Sequence, residues 1–231
     1  MNYSNIISGR FIRRHNRFTA DVSIDGKIET VHVKNTGRCR ELLLPDAEVF
    51  LTKSDNSARK TCYDLVAVKK LRDNQEPLLI NMDSQIPNDA AAEWLPESGL
   101  FSSRAVIRRE VCYGKSRFDF FVQDGVRKVF IEVKGVTLEK DSAAFFPDAP
   151  TERGVKHLEE LTALIQNEYE AVVLFVVQMQ SITAFRPCDE IDPAFGNALR
   201  RAAAAGVKVM AMDCVITPGS IKIDSRVKVE L

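Results

Sequence analysis

The sequence lacks the features of a membrane or secreted protein. It has no uncharged apolar run of about 18 residues, so no transmembrane helix is expected. Residues 1–17 are polar and basic without an apolar stretch, which argues against a secretory signal. The five cysteines stand at no metal-finger or redox spacing: Cys39, Cys62, Cys112, Cys188 and Cys214. We therefore expect reduced thiols and a cytoplasmic protein.

An excess of charge is also missing, because 32 basic residues balance 32 acidic residues. This neutrality argues against a histone-like coat protein, but it conceals two basic clusters. Residues 1–40 contain eight basic side chains against three acidic ones, and residues 104–117, which include Lys115, contain five against Glu110 alone. Arginines on short strands are often simply solvated. Both clusters nevertheless fit a partner that carries phosphates along one face of the protein.

Disorder is excluded by composition, since 45% of the 231 residues are apolar and 28% are charged.

Short alternating segments predict an all-β first part of the chain. The predicted strands span residues 18–24, 27–33, 48–53, 63–72 and 76–81, and the Asp25-Gly26 turn joins the first two as a hairpin. Five short strands indicate a small barrel or sandwich, for which the OB-fold is one candidate.

The second part of the chain mixes helices and strands. Pro87-Asn88-Asp89 opens a predicted bridging helix at 90–97, which is followed by strands at 105–113, 117–123 and 126–136. Amphipathic helices are predicted at 151–167 and 193–205, a buried strand at 171–178 and a further strand at 207–212. We therefore expect an α/β protein, α+β overall, with domains at residues 1–83 and 84–231.

Two carboxylates and a lysine in neighbouring predicted strands are the strongest chemical signal. They are Asp119 in "SRFDFFV" and Glu132 with Lys134 in "FIEVKGV". Side chains alternate along a strand, so Glu132 and Lys134 share a face, and the Asp124-Gly125 hairpin brings Asp119 alongside. Two carboxylates in this arrangement could hold Mg²⁺ or Mn²⁺, and the lysine would serve an attacking water.

The pattern also has a non-catalytic interpretation, because Glu-x-Lys on a strand is usually a solvent-facing ion pair. The flanking residues Phe130, Ile131 and Val133 are apolar, which indicates a central strand. Charges on a core strand are costly unless they serve a purpose. Asp119 is likewise flanked by Phe118 and Phe120. We therefore interpret the three residues as a candidate catalytic site.

The segment "FFPDAPTERGVKHLEEL", residues 145–161, is a second candidate cluster. Thr151 is predicted to cap a helix whose first turns carry Arg153 and Lys156, and a helix start with added cations attracts phosphate. A charged solvent face is the alternative. His157 fits a partly buried structural residue as well as any site role. Gln178 could orient the site or simply end a buried strand.

In the first domain, the loop "NTGRCRELL" is the comparable cluster. It is basic and turns at a permissive glycine, although such a loop needs no ligand. With the upstream arginines it supplies our candidate nucleic-acid contacts: Arg13, Arg14, Arg17, Asn35, Arg38 and Arg40.

Several longer motifs occur in one order along the chain: "VKNTGRCRELL", "SRFDFFV", "IEVKGVTL", "FPDAPTERGVKHLEEL", "VVLFVVQ" and "DEIDPAFGNALRRAAAAGVKV". Over roughly residues 10–220 the chain thereby resembles the bacterial sugar fermentation stimulation protein A family. The resemblance implies an OB-type domain joined to a PD-(D/E)xK restriction-nuclease-like domain, with the metal-site pattern on Asp119, Glu132 and Lys134. It also implies non-specific DNA binding and, by the family name, regulation of sugar utilisation. Here Arg38-Cys39 replaces the usual "NTGSM" ending, which makes the loop more basic.

These observations predict a protein that binds DNA or RNA without sequence preference and contacts no membrane. The first hypothesis is Mg²⁺- or Mn²⁺-dependent cleavage of phosphodiester bonds by Asp119, Glu132 and Lys134. The second is a non-catalytic DNA-binding regulator that keeps the nuclease fold as a clamp. A third is an interaction protein whose barrel binds a carbohydrate or a protein. The intact charged triad favours the enzyme, and the oligomeric state stays open.

Overall fold

The computed structural model describes residues 1–35, 37–54, 58–73, 75–114 and 116–231. Thr36 of the predicted basic turn and Lys115 of the second basic cluster lie outside these residues. No helix among the described residues is long and apolar enough to cross a membrane.

The first domain is a closed barrel. Within the described residues its strands are β1 (Ile6–Arg14), β2 (Thr19–Ile24), β3 (Lys27–Val33), β4 (Glu48–Lys53), β5 (Tyr63–Arg72) and β6 (Gln75–Asn81). Their order is β3-β2-β1-β4-β5-β6, and a parallel pairing of β3 with β5 closes the barrel. The five predicted strands are therefore all present, whereas β1 was not predicted, because its charged residues Arg10, Arg13 and Arg14 obscure the alternation.

Two glycines make the barrel geometry possible. At the β2–β3 turn, Asp25 and Gly26 both have positive φ, 49° and 78°, as a type I′ hairpin turn requires. At Gly9 in β1, an added Cβ would lie 2.5 Å from a methyl carbon of Val22 and 2.9 Å from the carbonyl oxygen of Ser23. Only a residue without a side chain allows β1 and β2 to approach so closely.

The second domain contains a sheet of nine strands in the part of the chain that the structure describes. Its elements follow in chain order: α1 (Ile86–Trp94), a 3₁₀ turn (Leu95–Glu97), β7 (Val106–Tyr113), β8 (Ser116–Asp124), β9 (Arg127–Val136), β10 (Leu138–Lys140), β11 (Ala143–Phe146), α2 (Glu152–Ile165), β12 (Glu170–Val177), β13 (Ala184–Pro187), α3 (Pro193–Ala204), β14 (Lys208–Thr217) and β15 (Ser220–Val229). The strand order is β10-β11-β13-β15-β14-β12-β9-β8-β7, with β9, β12 and β14 parallel at the centre.

Helices cover both faces of this sheet. On one face α2 buries Leu158, Leu161 and Leu164, and α3 packs beside it. The predicted cap is confirmed, since the Thr151 side chain accepts a hydrogen bond from Gly154 N. On the other face α1 packs against β9 and β15. The two faces therefore have separate apolar layers.

Several element boundaries differ from the predictions. The bridging helix begins at Ile86 and not at Ala90, because a proline near the first helical position fits a helix start. The strand predicted at 207–212 is longer and pairs with the unpredicted β15. The unpredicted strands β10, β11 and β13 have three or four residues each, too few for a recognisable period.

The two domains share a polar interface. The buried Gln178 amide donates to the Asn81 and Asp83 carbonyl oxygens at 3.2 and 3.0 Å, and Lys70 of β5 donates to Glu139 of β10 at 2.6 Å. The N-terminal residues also reach the second domain, because Tyr3 N donates to the carbonyl oxygen of Gly219 at 2.8 Å. These contacts join the barrel to the sheet.

Candidate functional site

The structure brings Asp119, Glu132 and Lys134 together on the adjacent strands β8 and β9, just beyond the last paired residues of the two strands. Lys134 Nζ lies 2.7 Å from Glu132 Oε1, so these two side chains share a face of β9 as predicted. The hairpin pairs β8 with β9 and places Asp119 next to Glu132, one position beyond the pair Phe120 and Ile131. The predicted juxtaposition is therefore present, while the catalytic roles stay predictions.

Just beyond the last paired residues of β8 and β9, the side chain of Asp119, and not a backbone carbonyl, accepts a hydrogen bond from a backbone N–H of β9. Its Oδ2 accepts a hydrogen bond from Val133 N at 2.7 Å, and its Oδ1 accepts one from the Asn88 side chain in α1 at 2.8 Å. Burial, and next the neighbouring charge of Glu132, raise the pKa of Asp119 to about 6, although both hydrogen bonds oppose this. The two carboxylates repel each other, and a cation between them would relieve that repulsion.

Glu132 is the most buried of the three side chains, at 3% exposure. Its Oε1 accepts hydrogen bonds from Lys134 Nζ and from His157 Nδ1. Burial acts to raise the pKa of Glu132, but these two partners outweigh it and lower that pKa. Its Oε2 is buried and has no hydrogen-bond partner among the described residues. An unpartnered carboxylate oxygen is costly unless a ligand such as a cation satisfies it.

Sequence reasoning missed two residues of this cluster, His157 and Asn88. His157 Nε2 accepts a hydrogen bond from Arg153 Nε at 3.3 Å, so we assign the ring proton to Nδ1, which donates to Glu132. His157 lies one helical turn after Arg153, on the buried side of α2. The four-residue spacing of Arg153 and His157 indicates that the two side chains share a face of the helix. Nothing in the sequence indicates that His157 contacts Glu132, which lies on a distant strand. Asn88 was interpreted only as part of a helix start.

A cleft of about 540 Å³ opens beside the two carboxylates. The first turn of α1, strands β7 and β8 and the first turn of α2 line it. Arg109 pairs with Asp89 at 2.7 Å, and Arg117 pairs with Glu110 at 2.9 Å. Arg153 also lines the cleft, and within the described residues it forms no ion pair with a carboxylate. The described lining of the cleft thus contains four carboxylates and three arginines, and two of these arginines are paired with two of the carboxylates.

The other predicted contacts on α2 and β12 lie elsewhere. Lys156 is exposed, does not line the cleft, and has its Nζ 3.6 Å from Glu160 Oε1. Gln178 is 1% exposed and donates to Asn81 and Asp83, so it links the domains. Of these predicted residues, the structure therefore places only Arg153 at the cleft.

The predicted basic residues of the barrel fall into two groups. The Arg14 guanidinium donates to five backbone carbonyl oxygens, those of Asn16, Arg17, Asn35, Gly37 and Arg38. It therefore holds the loop together. Asn35 also acts inside the loop, since its Oδ1 accepts from Gly37 N at 2.7 Å.

The remaining barrel arginines face solvent. Arg13 pairs with Asp21 at 3.0 Å, and Arg17 stacks over the ring of Phe18 at 5.5 Å. Arg38 and Arg40 are exposed on either side of the buried Cys39. Arg17, Arg38 and Arg40 form no ion pair within the described ranges, and their exposure makes them candidates for contact with an anionic partner.

A preformed metal cage is absent from the residues that the structure describes. Nowhere among them do three or more His, Cys, Asp or Glu side chains converge in an arrangement that could hold a metal ion. The carboxylates of Asp119 and Glu132 could supply two ligands, leaving the other positions to water, backbone or substrate oxygens.

Comparison with known proteins supports the observed architecture. Residues 12–75 match the SfsA N-terminal OB domain, and residues 85–220 match the sugar fermentation stimulation protein RE domain. Sugar fermentation stimulation protein homologs of Desulfitobacterium hafniense and Ruminiclostridium cellulolyticum are 52% and 48% identical to this chain; each alignment covers 100% of it and 99% and 100% of the relatives. The structure of Pyrococcus furiosus SfsA in complex with Ca²⁺ has a TM-score of 0.86 and 28% identity, covering 100% of this chain and 98% of that one. The predicted OB-type barrel followed by an α/β sheet domain is confirmed.

Proposed function

The chain belongs to the sugar fermentation stimulation protein family, and from this premise we propose that it binds nucleic acid and hydrolyses phosphodiester bonds with a divalent cation. One observation carries the proposal. The buried Oε2 of Glu132 lacks a partner among the described residues, beside a second carboxylate and a lysine. An aspartate followed on the next strand by Glu-x-Lys is the arrangement of a PD-(D/E)xK, restriction-nuclease-like site.

The residues at the cleft fit a hard cation. Asp119 and Glu132 would hold Mg²⁺ or Mn²⁺ through oxygen, the ligand type these ions prefer. The cation would satisfy the unpartnered oxygen and offset the repulsion that raises the pKa of Asp119. The Pyrococcus furiosus relative, in complex with Ca²⁺, supports a cation site in the family. When bound, such an ion polarises a phosphate and acidifies a water molecule.

Side chains around the cation site would orient the attacking water, stabilise the developing charge and bind the neighbouring phosphate. Lys134 Nζ lies 2.7 Å from Glu132 Oε1, where it would orient the attacking water and stabilise charge that develops on the phosphate. His157 would hold Glu132 in place through Oε1. Arg153 at the wall of the cleft would bind a phosphate next to the reacting one.

Binding along the nucleic-acid backbone would be shared with the barrel. The exposed Arg17, Arg38 and Arg40 form no ion pair in the described part of the chain. No element of the described fold is arranged as a recognition helix, so we propose DNA or RNA binding without sequence preference. Such a partner fits a cytoplasmic location.

A cleavage assay tests this function. Plasmid, single-stranded DNA and RNA are incubated with the purified protein, with Mg²⁺ or Mn²⁺ and with chelator. We expect cleavage only with the metal, and loss of cleavage in Glu132→Gln. The matched control is Glu159→Gln, an exposed glutamate of α2 away from the cleft, which should cleave like the wild type. Cleavage that persists in Glu132→Gln would exclude this site.

One observation favours a second candidate, a non-catalytic regulator that uses the cleft as a DNA clamp. Glu132 Oε1 already has two cationic or donor partners, and no three-ligand metal group exists among the described side chains. Under this alternative the protein binds nucleic acid but cleaves none with any divalent metal. Intact binding without cleavage in the assay above would therefore select the regulator.

A further inference from the structure

A second cavity lies at the far end of α1 from the candidate site. Its volume is about 430 Å³, within the range of small-molecule pockets. Trp94 and Phe101 form its roof, at the end of α1 and in the loop that follows. The floor is the α1-side face of the central sheet, where Ile131 and Leu174 are each 1% exposed. None of the residues that line the catalytic cleft lines this cavity.

The lining makes the cavity a poor container for water. Aliphatic side chains of β9, β12 and β14 form one wall and aromatic rings form the other. A space of this size would hold roughly a dozen water molecules, at about 30 Å³ each, with few polar partners. An apolar ligand that displaces such water gains free energy. The body of a matching ligand is therefore compact and apolar.

The mouth of the cavity specifies the charge of the ligand. Arg127 is neutralised there, because its guanidinium donates to both oxygens of Glu170, at 2.7 and 2.9 Å, and stacks over Phe101 at 5.6 Å. Lys208 lies at the same mouth and forms no ion pair within the described residues. The hydrogen bonds and charge of Arg127, with a smaller contribution from the charge of Lys208, lower the pKa of Glu170. Arg127 and Lys208 against Glu170 give the lining one excess positive charge, which favours an anionic group on the ligand.

From this geometry we propose that the cavity binds a small amphipathic carboxylate, an apolar body with a single anionic head. The body lies between Trp94 and the sheet, and the carboxylate contacts Lys208. The site is independent of the phosphodiesterase cleft and needs no metal.

The single tryptophan of the chain gives a direct assay, because Trp94 lines the cavity. Its fluorescence is followed while octanoate, below its micelle concentration, is added to the full-length protein. Acetate provides the charge without the body, and octylammonium provides the body with the opposite charge. A parallel titration with 3-phenylpropionate distinguishes an aromatic body from an aliphatic one.

We expect a saturable change with octanoate or 3-phenylpropionate, and none with acetate or octylammonium. Lys208→Glu should weaken binding of that carboxylate about tenfold, because an attraction is replaced by a repulsion. The matched control is Lys222→Glu, an exposed strand lysine in a separate groove that also touches Trp94, and it should change the affinity less than about twofold.

Three results would overturn the proposal: no saturable signal with either carboxylate, equal binding of octylammonium, or equal weakening by both lysine variants. The comparison of octanoate with octylammonium uses only the wild-type protein, so it decides the question even if a variant fails to fold.

Discussion

His157 and Glu132 are joined by a hydrogen bond from Nδ1 to Oε1, and Oε2 of the same carboxylate is buried without a partner among the described residues. The histidine comes from α2 and the glutamate from β9, so the docking of a helix on the sheet fixes the carboxylate. Arg153 donates to the opposite nitrogen of His157. A residue at the wall of the cleft is thereby connected to the proposed metal ligand.

Replacement of Lys134 by alanine should separate cleavage from binding. We propose that its ammonium acts mainly on the transition state, so its loss should lower turnover about 100- to 1000-fold. Affinity for DNA should stay within about threefold of the wild type. Single-turnover cleavage and fluorescence anisotropy measure the two quantities. Lys140→Ala, an exposed lysine of β10, is the matched control. Unchanged cleavage by Lys134→Ala would remove the lysine from the mechanism.

Arg153 and Lys156 lie in the same helical turn, and only Arg153 lines the cleft. Arg153→Ala should weaken DNA binding about five- to tenfold, since a charge-assisted contact to phosphate is lost. Lys156, which the sequence also places near the phosphate-attracting helix start, should have a smaller effect when replaced by alanine because its side chain lies beside Glu160. Anisotropy titrations of both variants at one salt concentration test the order. The reverse order would move the phosphate path away from the cleft.

Arg14 and Arg38 should respond differently to alanine substitution. Arg14→Ala removes a cation that bonds five carbonyl oxygens, so it should lower the free energy of unfolding by about 2 kcal/mol.

Wild-type binding should weaken with salt at a log–log slope of about −3 to −4, for about four phosphate contacts. Arg38→Ala should leave stability unchanged and make that slope less steep by about 1. A slope near zero in the wild type would contradict electrostatic binding.

Asp21 provides a test at acidic pH. Hydrogen bonds from His15 and then Arg13 lower its pKa to about 2, from the ordinary value of 3.8. A depressed carboxylate pKa stabilises the fold above the unfolded pKa, and this contribution is lost as pH falls from about 4 to 2. Asp21→Asn should therefore be less stable than the wild type at pH 7 and lose less stability on acidification. Urea unfolding at pH 7, 4 and 3 checks this.

The control for that experiment is Asp25→Asn at the exposed β2–β3 turn, where asparagine also tolerates positive φ. It should show the wild-type dependence on pH. If Asp21→Asn and the wild type lose stability equally between pH 4 and 3, the ion-pair assignment of Asp21 is wrong.

Part of the site could be predicted because strand alternation is a local property. Glu132 and Lys134 are two residues apart, and the Asp124-Gly125 turn determines which residue of β8 comes next to them. His157 and Asn88 are 25 and 31 residues from their partners Glu132 and Asp119. Their contacts depend on how α1 and α2 dock, which no short pattern in the sequence encodes.

The pattern of charged residues in the sequence does not show which arginines of the barrel are available to a partner. Arg14 and Arg38 look equivalent in the sequence, yet the guanidinium of Arg14 bonds the backbone and Arg38 is exposed. Whether an arginine serves the fold or a partner depends on which carbonyl oxygens the folded loop turns toward it. Sequence periodicity carries no information about those oxygens.

The proposed cleavage depends on a divalent cation held by Asp119 and Glu132. Isothermal titration of Mn²⁺ into the wild type, Glu132→Gln and the control Glu159→Gln tests this cation binding most directly. We expect one Mn²⁺ per chain in the wild type and the control, and an affinity at least tenfold lower in Glu132→Gln. Equal Mn²⁺ affinity in all three proteins would show that Glu132 does not bind the cation.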